Sequence, residues 1–507
     1  MGHRVYFEGV DSIHGFQSKM FQLIEQQTSL ERIVMVCKKH DDQNVYDEKK
    51  VRLINYDMCE HNRYHENFDF NDLLPLSGEL LQRMRPFESV AMQMLVRNFE
   101  RDIYTFDECK QFYLDHLRFW HHVLVTERIE LICFNNIPHH CHDYVIYALA
   151  EILGIKRCLA MDTTITGRLA IADSLDNAWV YTNELYQKYR ALDQIELPAD
   201  LESYYQALLY ENIGKNNGAV NRGMTRAEHI ALRRKTFIEY CSASKVRKRV
   251  LSRLKHGLKV SLQEKNLQGW KTGAAFAKQE LVYSKRAKIK LKAMRSTGYY
   301  NALTGQPDES RPFITFFLHL QPEATTLPQG GVFTEQENMI QILATAAEQL
   351  GIGVCVKEHF VQPYRNKSFY DRLADMRNVT LIHTDTDSKA LARKSLATAS
   401  CNGTIMNESV YNGKPTIIFG NTVFQGMPGV FKIADVDSAV AALKQIQKGV
   451  EINQKDVRAY LAAFGENSLH GYFDVALYEK DDKVTEEEGC KAYADYYARE
   501  IRKLDEA

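Results

Sequence analysis

VCVKEHFVQPYRNKSFYDRL (residues 354–373) and ATASCNGTIMNESVYNGKPTIIFGN (residues 397–421) are the two stretches that decide the predicted fold. Short apolar runs, rich in β-branched residues, occur here and between them at 353–356, 379–382 and 416–419. Each run leads into polar residues, and helix-like segments separate the runs. Short buried strands that alternate with helices are typical of a parallel α/β sheet, whose ligands bind outside the carboxyl ends of the strands.

Small polar residues at these predicted strand ends indicate a phosphate site. Asn402-Gly403-Thr404 closes a run of small residues and opens a predicted helix that contains Glu408. Free backbone N–H groups and the positive end of that helix would face the crevice. Both features favour an anion, so we expect phosphate there.

The N-terminal half repeats the α/β pattern. Strands are predicted at 5–10, 33–37, 129–134 and 157–161, with helical segments between them. The alternation predicts a second Rossmann-like sheet. Residues 40–72 are polar and are predicted to be surface loop with edge structure.

Acidic and imidazole side chains follow two strands of this half. Glu8 lies at the end of the first strand, and His139 and Asp143 follow the strand at 129–134, after Pro138. Pro is tolerated in a first helical turn, which would place His139 and Asp143 on one helix face. The histidine spacing fits no standard zinc pattern. The segment is therefore either a solvated helix start or a site for proton transfer or sugar binding.

The composition is that of a soluble protein with more than one domain. The chain has 507 residues, of which 45% are hydrophobic and 25% are charged, with ten scattered cysteines and no C-x-x-C pair. Two or three domains and reduced thiols follow from these values. The N-terminus shows no signal peptide and no apolar run has spanning length, so a cytoplasmic location is expected.

A basic segment lies between the two α/β halves. From residue 233 to 295 there are 19 Lys and Arg residues against three Glu, an excess of 16 positive charges in a nearly neutral protein. An anionic membrane surface is the favoured partner, a polyanionic glycan is the alternative, and nucleic acid is not expected because no recognition module accompanies the charge. The acidic stretch 479–488 could neutralise part of the excess.

The second half adds a glycine-containing loop. Gln329 and Gly330 lie between a strand at 312–318 and a predicted helix, a layout that also suits phosphate. The expected domains are an N-terminal Rossmann-like acceptor domain (1–196), a helical basic insertion (197–304), a C-terminal Rossmann-like nucleotide-sugar domain (305–465) and a C-terminal helical tail (466–507).

The order of motifs in the second half resembles the capsule polysaccharide synthesis family, which includes bacterial Kdo transferases. The resemblance is clearest over residues 314–433, and the family usually has His-Pro where this chain has His359-Phe360. The motifs that carry it are Lys357-Glu358-His359, Ser368-Phe369-Tyr370, 378–382, Asn402-Gly403-Thr404, Glu408, Gly413-Lys414-Pro415, Phe419-Gly420 and Pro428-Gly429-Val430.

The resemblance implies a GT-B glycosyltransferase with two Rossmann-like domains facing a central crevice. It implies a nucleotide-sugar donor, with a CMP-sugar favoured and Kdo or a related acidic sugar transferred, and no metal or cofactor. The acceptor would be a surface polysaccharide or a glycolipid. An enzyme of this kind would work in the cytoplasm, peripheral to the inner face of the cell membrane, which residues 233–295 would contact.

Expected roles follow from the chemistry of sugar transfer. Negative charge builds on the departing phosphate while a base removes the acceptor proton. The expected catalytic residues are Asp143, His139, Glu8 and His359. The expected nucleotide-sugar contacts are Lys357, Glu358, His359, Asn402, Gly403, Thr404, Glu408, Gln329 and Gly330. A non-catalytic GT-B-like module that binds glycan or proteins remains an alternative, as does a sugar-nucleotide epimerase.

Overall fold

The computed structural model describes residues 2–8, 15–37, 47–98, 105–210, 226–293, 296–321, 323–359 and 365–506. Within them the chain forms two parallel-sheet α/β domains, so the predicted two-domain GT-B class is confirmed. A helical hairpin rich in Lys and Arg lies between the two sheets in sequence.

The first sheet has seven strands in the order β13-β6-β5-β4-β1-β2-β3. Strands β1 to β5 are mutually parallel, and β6 and β13 are each antiparallel to their neighbours in the sheet. The strands are β1 (His3–Glu8), β2 (Leu30–Cys37), β3 (Val51–Asn55), β4 (Leu131–Phe134), β5 (Lys156–Asp162), β6 (Arg168–Ala172) and β13 (Ser468–His470).

The second sheet has six strands, all parallel, in the order β12-β11-β10-β7-β8-β9. The strands are β7 (Phe313–Phe317), β8 (Gly353–Lys357), β9 (Val379–Ile382), β10 (Thr398–Ser400), β11 (Thr416–Ile418) and β12 (Val430–Lys432). Counted from β7, this is the doubly wound order 3-2-1-4-5-6, whose direction reverses between β7 and β10. In the first sheet the same reversal lies between β1 and β4.

Helices cover the faces of both sheets and supply the remaining elements. Those before residue 200 are α1 (Phe16–Glu25), α2 (Tyr56–Glu60), α3 (Tyr64–Asn67), α4 (Gly78–Asn98), α5 (Phe106–Thr126), α6 (Cys141–Leu153), α7 (Val180–Arg190) and α8 (Ala199–Leu208). Those that follow are α9 (Arg226–Cys241), α10 (Ala243–Glu264), α11 (Gln268–Ala293), α12 (Ser296–Ala302), α13 (Gln336–Glu348), α14 (Lys367–Asp375), α15 (Ser388–Lys394), α16 (Ile405–Tyr411), α17 (Val436–Gln447), α18 (Gln454–Glu466) and α19 (Glu486–Arg502). No described helix is both long enough and apolar enough to cross a bilayer.

The C-terminal segment belongs to the first domain. β13 pairs with β6, and α19 packs on α1 and β1, with aromatic contacts of Tyr493 with Phe16 of α1 and of Tyr497 with Phe7 of β1. Residues after 466 therefore complete the first sheet, whereas the sequence suggested a separate helical tail.

Two other stretches differ from their sequence-based description. Within residues 40–72, expected to be surface loop with edge structure, β3 is an edge strand of the first sheet, and α2 and α3 are helices that were not expected. Residues 197–304 divide into three parts: α8 packs on α16 and α18, α9 to α11 form the basic hairpin, and α12 joins the second domain. Tyr300 of α12 is buried, and its hydroxyl donates to the carbonyls of Val356 and Ile382.

Candidate active site

Two adjoining cavities lie where the strand order of each sheet reverses. A cavity of about 210 Å³ is lined by Glu8, which ends β1, and by residues 134–137, which end β4 and follow it. A cavity of about 540 Å³ is lined by residues 323–325, after β7, and 402–404, after β10, together with residues of the first domain. Asn136, Ile137, His139, His140 and Phe473 line both. The carboxyl ends of the two sheets thus meet in one crevice, which is where open α/β sheets bind ligands.

A buried ion pair lies at the end of β1. His142 Nε2 is 3.4 Å from Glu8 Oε1, and the Tyr6 hydroxyl donates to the other Glu8 oxygen. Burial alone would raise the pKa of Glu8, but the hydrogen bond and charge of His142 outweigh it and lower that pKa. Burial would likewise lower the pKa of His142, but Glu8, Asp143 and Glu60 raise it to about 9. Both groups are therefore charged at neutral pH.

Asp143 holds the segment that precedes α6. Its Oδ2 accepts from the backbone N–H of His139 at 3.1 Å, while its Oδ1 is buried without a hydrogen-bond partner and the residue lines the smaller cavity. The helix begins at Cys141 with His140 as N-cap, so His139 lies outside it. The prediction that His139 and Asp143 share a helix face was wrong, but the two residues are in contact.

His139 and His140 separate the two cavities. The N-terminal domain fixes His140 through Glu60, whose Oε2 is 3.3 Å from His140 Nδ1, and through the Tyr56 hydroxyl at 3.4 Å from the same atom. His139 Nδ1 lies 2.7 Å from the Ile137 carbonyl, which makes Nδ1 the protonated nitrogen. These histidines are held in place on the acidic side of the crevice.

The sequence places Asp162 at the rim of the crevice, after the strand predicted at 157–161, but assigns it no catalytic or binding role. Asp162 ends β5 and lines the larger cavity, exposed to solvent within the crevice. The protein walls around it partly desolvate the carboxyl group and raise its pKa to about 6, against the opposing hydrogen bond from the Thr163 backbone. The signal that selected Glu8, a carboxylate at a strand end, applies equally to Asp162.

The second domain presents neutral polar groups to the larger cavity. Asn402, Gly403, Thr404, Gln329 and Asn407 line it. The Asn402 and Asn407 side-chain oxygens are buried without hydrogen-bond partners, while the Asn407 amide donates to the Tyr204 hydroxyl at 3.2 Å. Gly330, next to Gln329, is required by packing, because a Cβ there would lie 2.5 Å from the Thr326 carbonyl oxygen.

A buried histidine supports the Asn402-Gly403 turn. Nε2 of His319 accepts from the Asn402 backbone N–H at 3.2 Å and from the Ser400 hydroxyl at 2.8 Å, and Ser400 Oγ accepts from the Gly403 N–H. Burial lowers the pKa of His319 to about 3, so it is neutral. Two of the N–H groups expected to be free for phosphate are therefore already bonded within the protein.

The strand-end residues of β8 are built into the domain. Lys357 is buried, and its Nζ donates to the Thr384 carbonyl at 3.1 Å. Glu358 is buried and accepts from Arg365, from the Tyr370 hydroxyl and from the His359 backbone N–H, each at 2.7 Å. His359 is half-buried beside them, and Phe360 and Pro363 lie outside the described residues.

Lys357, Glu358 and His359 do not line either cavity. Glu408 does not line them either, although its neighbour Asn407 does. Burial raises the pKa of Glu408, and Lys389 opposes the shift. The structure thus brings together Glu8, His139, Asp143, Gln329 and 402–404, and it places the other five predicted site residues, Lys357, Glu358, His359, Glu408 and Gly330, outside the lining of both cavities.

The described lining is acidic. Both cavities together contain Glu8, Asp143, Asp162, Glu323 and Asp474, and no Lys or Arg among the described lining residues. Nor do the described residues contain a group of three or more His, Cys, Asp or Glu side chains arranged to hold a metal ion.

Comparisons with known proteins give similarities at the level of fold only. No family model matches the chain, and no curated protein matches it. Among solved structures, the UDP-GlcNAc 2-epimerase from Methanocaldococcus jannaschii is 12% identical with a TM-score of 0.26, over 91% of this chain and 98% of that one. A glycosyltransferase from Rickettsia africae is 8% identical with a TM-score of 0.24, over 99% and 100%. The β-Kdo 2,7 transferase KpsC from Thermosulfurimonas dismutans is 10% identical with a TM-score of 0.22, over 40% and 61%. The fold assignment above rests on the topology of the two sheets.

Proposed function

We propose that this protein is a metal-independent glycosyltransferase that moves a sugar from a nucleotide-sugar donor to a bacterial surface polysaccharide or glycolipid. One observation carries the proposal: the switch points of two doubly wound sheets meet in a single crevice. The first-domain wall carries the imidazoles and most of the carboxylates, and the second-domain wall carries amides, hydroxyls and one carboxylate, that of Glu323. A two-substrate transfer that needs a base on one side and neutral contacts to a donor on the other suits this division.

The donor would lie against the second domain. Asn402, Thr404, Asn407 and Gln329 present amide and hydroxyl groups to the larger cavity, and the unpartnered oxygens of Asn402 and Asn407 can accept from sugar or ribose hydroxyls. Lys357, Glu358 and Glu408 would act indirectly, because the first two stabilise the end of β8 and the third packs outside the cavity.

The acceptor base would come from the first domain. Asp143 offers an unpartnered oxygen, and Asp162 offers an accessible carboxylate whose pKa of about 6 suits a base near neutral pH. Glu8 is a weaker base because its pKa is lowered and His142 holds its charge. His139 would orient the acceptor rather than take its proton, since its Nδ1 and backbone N–H are engaged by Ile137 and Asp143.

The charge of the crevice bears on the sugar. The resemblance to the capsule family implies CMP-Kdo or a related acidic donor, whereas the described lining has carboxylates and no Lys or Arg. Like charges disfavour binding, so the described part of the site favours an uncharged sugar. We therefore test donors that carry an uncharged sugar beside CMP-Kdo.

An epimerase is the second candidate. Glu323 on the second-domain wall and Asp162 on the first line the same cavity, and carboxylates on both walls suit removal and return of a proton. The two reactions share a donor and differ in product.

We propose a cytoplasmic location for the enzyme, peripheral to the inner face of the membrane, with the basic segment as its contact.

The test is a panel of CMP-, UDP-, GDP- and TDP-sugars, measured by thermal stabilisation and then by product analysis. A donor that stabilises the protein and loses its sugar to a glycan acceptor or to water supports transfer. A donor that returns as its epimer supports the second candidate. Lack of stabilisation by every donor contradicts both and leaves a non-catalytic binding module.

A further inference from the structure

The basic segment folds as a tightly packed helical hairpin. α10 and α11 cross at glycines: a Cβ on Gly257 would lie 2.7 Å from the Cα of Gly273, and one on Gly269 would lie 2.7 Å from the backbone nitrogen of Ser261. The Ser261 hydroxyl also accepts from the Trp270 backbone N–H at 2.6 Å. Small residues at these positions thus let the backbones of the two helices approach closely at the crossing.

Exposed apolar side chains gather where the two helices are joined. We call residues 255–271 the hairpin tip. Leu262 and Leu267 are 72% and 70% exposed, and Leu258 and Trp270 are 49% and 40% exposed. These four large apolar side chains lie close together in sequence around the turn between α10 and α11, and exposed apolar groups concentrated in this way mark an interaction site.

Lysines surround this patch. Lys255, Lys259, Lys265 and Lys271 are exposed on the tip, and Glu264 is its one acidic residue in the sequence. Exposed leucines and a tryptophan beside lysines are the composition of segments that lie in the interface of an anionic bilayer. A protein partner without an acidic surface could bury the apolar groups but would leave the lysines without opposite charges.

We propose that the hairpin tip inserts its leucines and Trp270 into the headgroup region of an anionic lipid bilayer. Lys255, Lys259, Lys265 and Lys271 would contact the lipid phosphates while the apolar side chains leave water. The inference names the contact surface for the membrane location proposed above and rests on that part of it. It does not depend on which sugar is transferred.

The experiment uses the full chain with vesicles of phosphatidylcholine, alone or mixed with phosphatidylglycerol, and measures binding by co-sedimentation. Quenching of Trp270 fluorescence by brominated lipid reports insertion. The variant Trp270→Phe gives the fluorescence that comes from Trp120 and Trp179. The double variant Leu262→Ser/Leu267→Ser removes apolar groups that make little contact in the fold. Leu192→Ser/Val332→Ser is the control, because these apolar residues are also exposed, at 48% and 91%, and lie outside the hairpin.

We expect the parent and the control to bind mixed vesicles with quenching of Trp270, and the tip variant to bind about tenfold or more weakly. Equal binding by the tip variant would contradict insertion. Electrostatic attraction between the lysines and the anionic lipid would then be the means of attachment. Lack of binding by the parent overturns the membrane location as well. Self-association that the tip variant abolishes, without vesicle binding, would instead make the tip a contact between copies. The donor panel is run separately, so failure of the reaction is distinguished from failure of the surface.

Discussion

The backbone N–H of Asn402 donates to Nε2 of His319 at 3.2 Å, across 83 positions of sequence. The imidazole also lies under Gly403, where a Cβ would be 2.8 Å from its Cε1. A neutral histidine from the end of one strand therefore shapes the turn that follows another, at the reversal point of the second sheet.

We expect His319→Ala to weaken nucleotide-sugar binding and to lower stability together. The variant leaves a buried N–H unsatisfied, which costs about 1–3 kcal/mol, and releases the Asn402-Gly403 turn. Titration calorimetry and thermal unfolding measure the two effects, with the more exposed His383→Ala as control. Unchanged donor affinity would contradict the role of His319 as a positioning residue.

The lowered pKa of His319 predicts that the protein loses stability in acid. This pKa is near 3 in the folded protein and about 6.5 in the unfolded chain. The unfolded state binds more protons between these values, so the contribution of His319 is fully present above pH 6.5 and is lost as the pH falls toward 3. The slope of unfolding free energy against pH should be shallower for His319→Ala across this range.

Asp162→Asn should remove the acid limb of the pH–rate profile. A base with a pKa of about 6 becomes active as the pH rises through that value, so the parent rate should rise there. We expect the variant to lose about a hundredfold or more in turnover while it keeps donor affinity. Asp193→Asn, an exposed change outside the cavities, is the control. An unchanged profile would remove Asp162 from the mechanism.

Asp143→Asn tests the other carboxylate. Asn retains an acceptor for the His139 N–H but cannot take a proton, so we expect transfer to fall while donor affinity and thermal stability stay near those of the parent. Parallel loss of donor affinity and stability would show that Asp143 acts only as a cap for the segment before α6.

Glu8 and His142 should behave as one unit in stability. Glu8→Gln alone leaves a buried imidazolium uncompensated and should lower the free energy of unfolding by about 3–5 kcal/mol. The double variant Glu8→Gln/His142→Gln should lose less than the sum of the single losses in a denaturant-based cycle. The stability that the raised pKa of His142 contributes is fully present below pH 6.5 and is lost as the pH rises through about 9. The stability that the lowered pKa of Glu8 contributes is present above pH 4.5 and is lost in acid. Additive losses would argue against the pair.

We expect Lys357→Ala to lower stability more than donor binding. The side chain is buried and donates to the Thr384 carbonyl, so its removal leaves a cavity and an unmet acceptor. Lys389→Ala, half-exposed on α15, is the comparison. A large fall in donor affinity with unchanged unfolding would restore Lys357 to the phosphate site.

The sequence was sufficient to predict most of the strands, though not β6, β10, β12 and β13, and the edge of each sheet that carries the site. The run at 379–382 coincides with β9, and Glu8, Asp143 and Asn402 lie where strand ends were expected. Which strand-end side chains reach the crevice could not be predicted, because that depends on the strand order. β8 lies one strand away from the reversal point, so its Lys357 and Glu358 find partners inside the domain.

Local sequence patterns could not predict the role of His319 or the pKa of Asp162 either. The first depends on a contact between β7 and β10, and the second on desolvation by surrounding protein. In both cases the determining neighbour is distant in sequence.

The pairing of β13 with β6 has a consequence for protein synthesis. Arg168 and Ser468 touch across 300 positions, so a ribosome makes β1 to β6 and then the whole second domain before the last strand of the first sheet exists. During that interval the β6 edge and the face of α1 that later receives α19 have no covering from their own chain. We expect the second domain, whose strands lie together in sequence, to reach its native state on the ribosome first, while the first domain waits for β13 and α19. Nascent chains stalled when residue 450 has just emerged from the ribosome should therefore protect the second sheet from protease and leave the first sensitive.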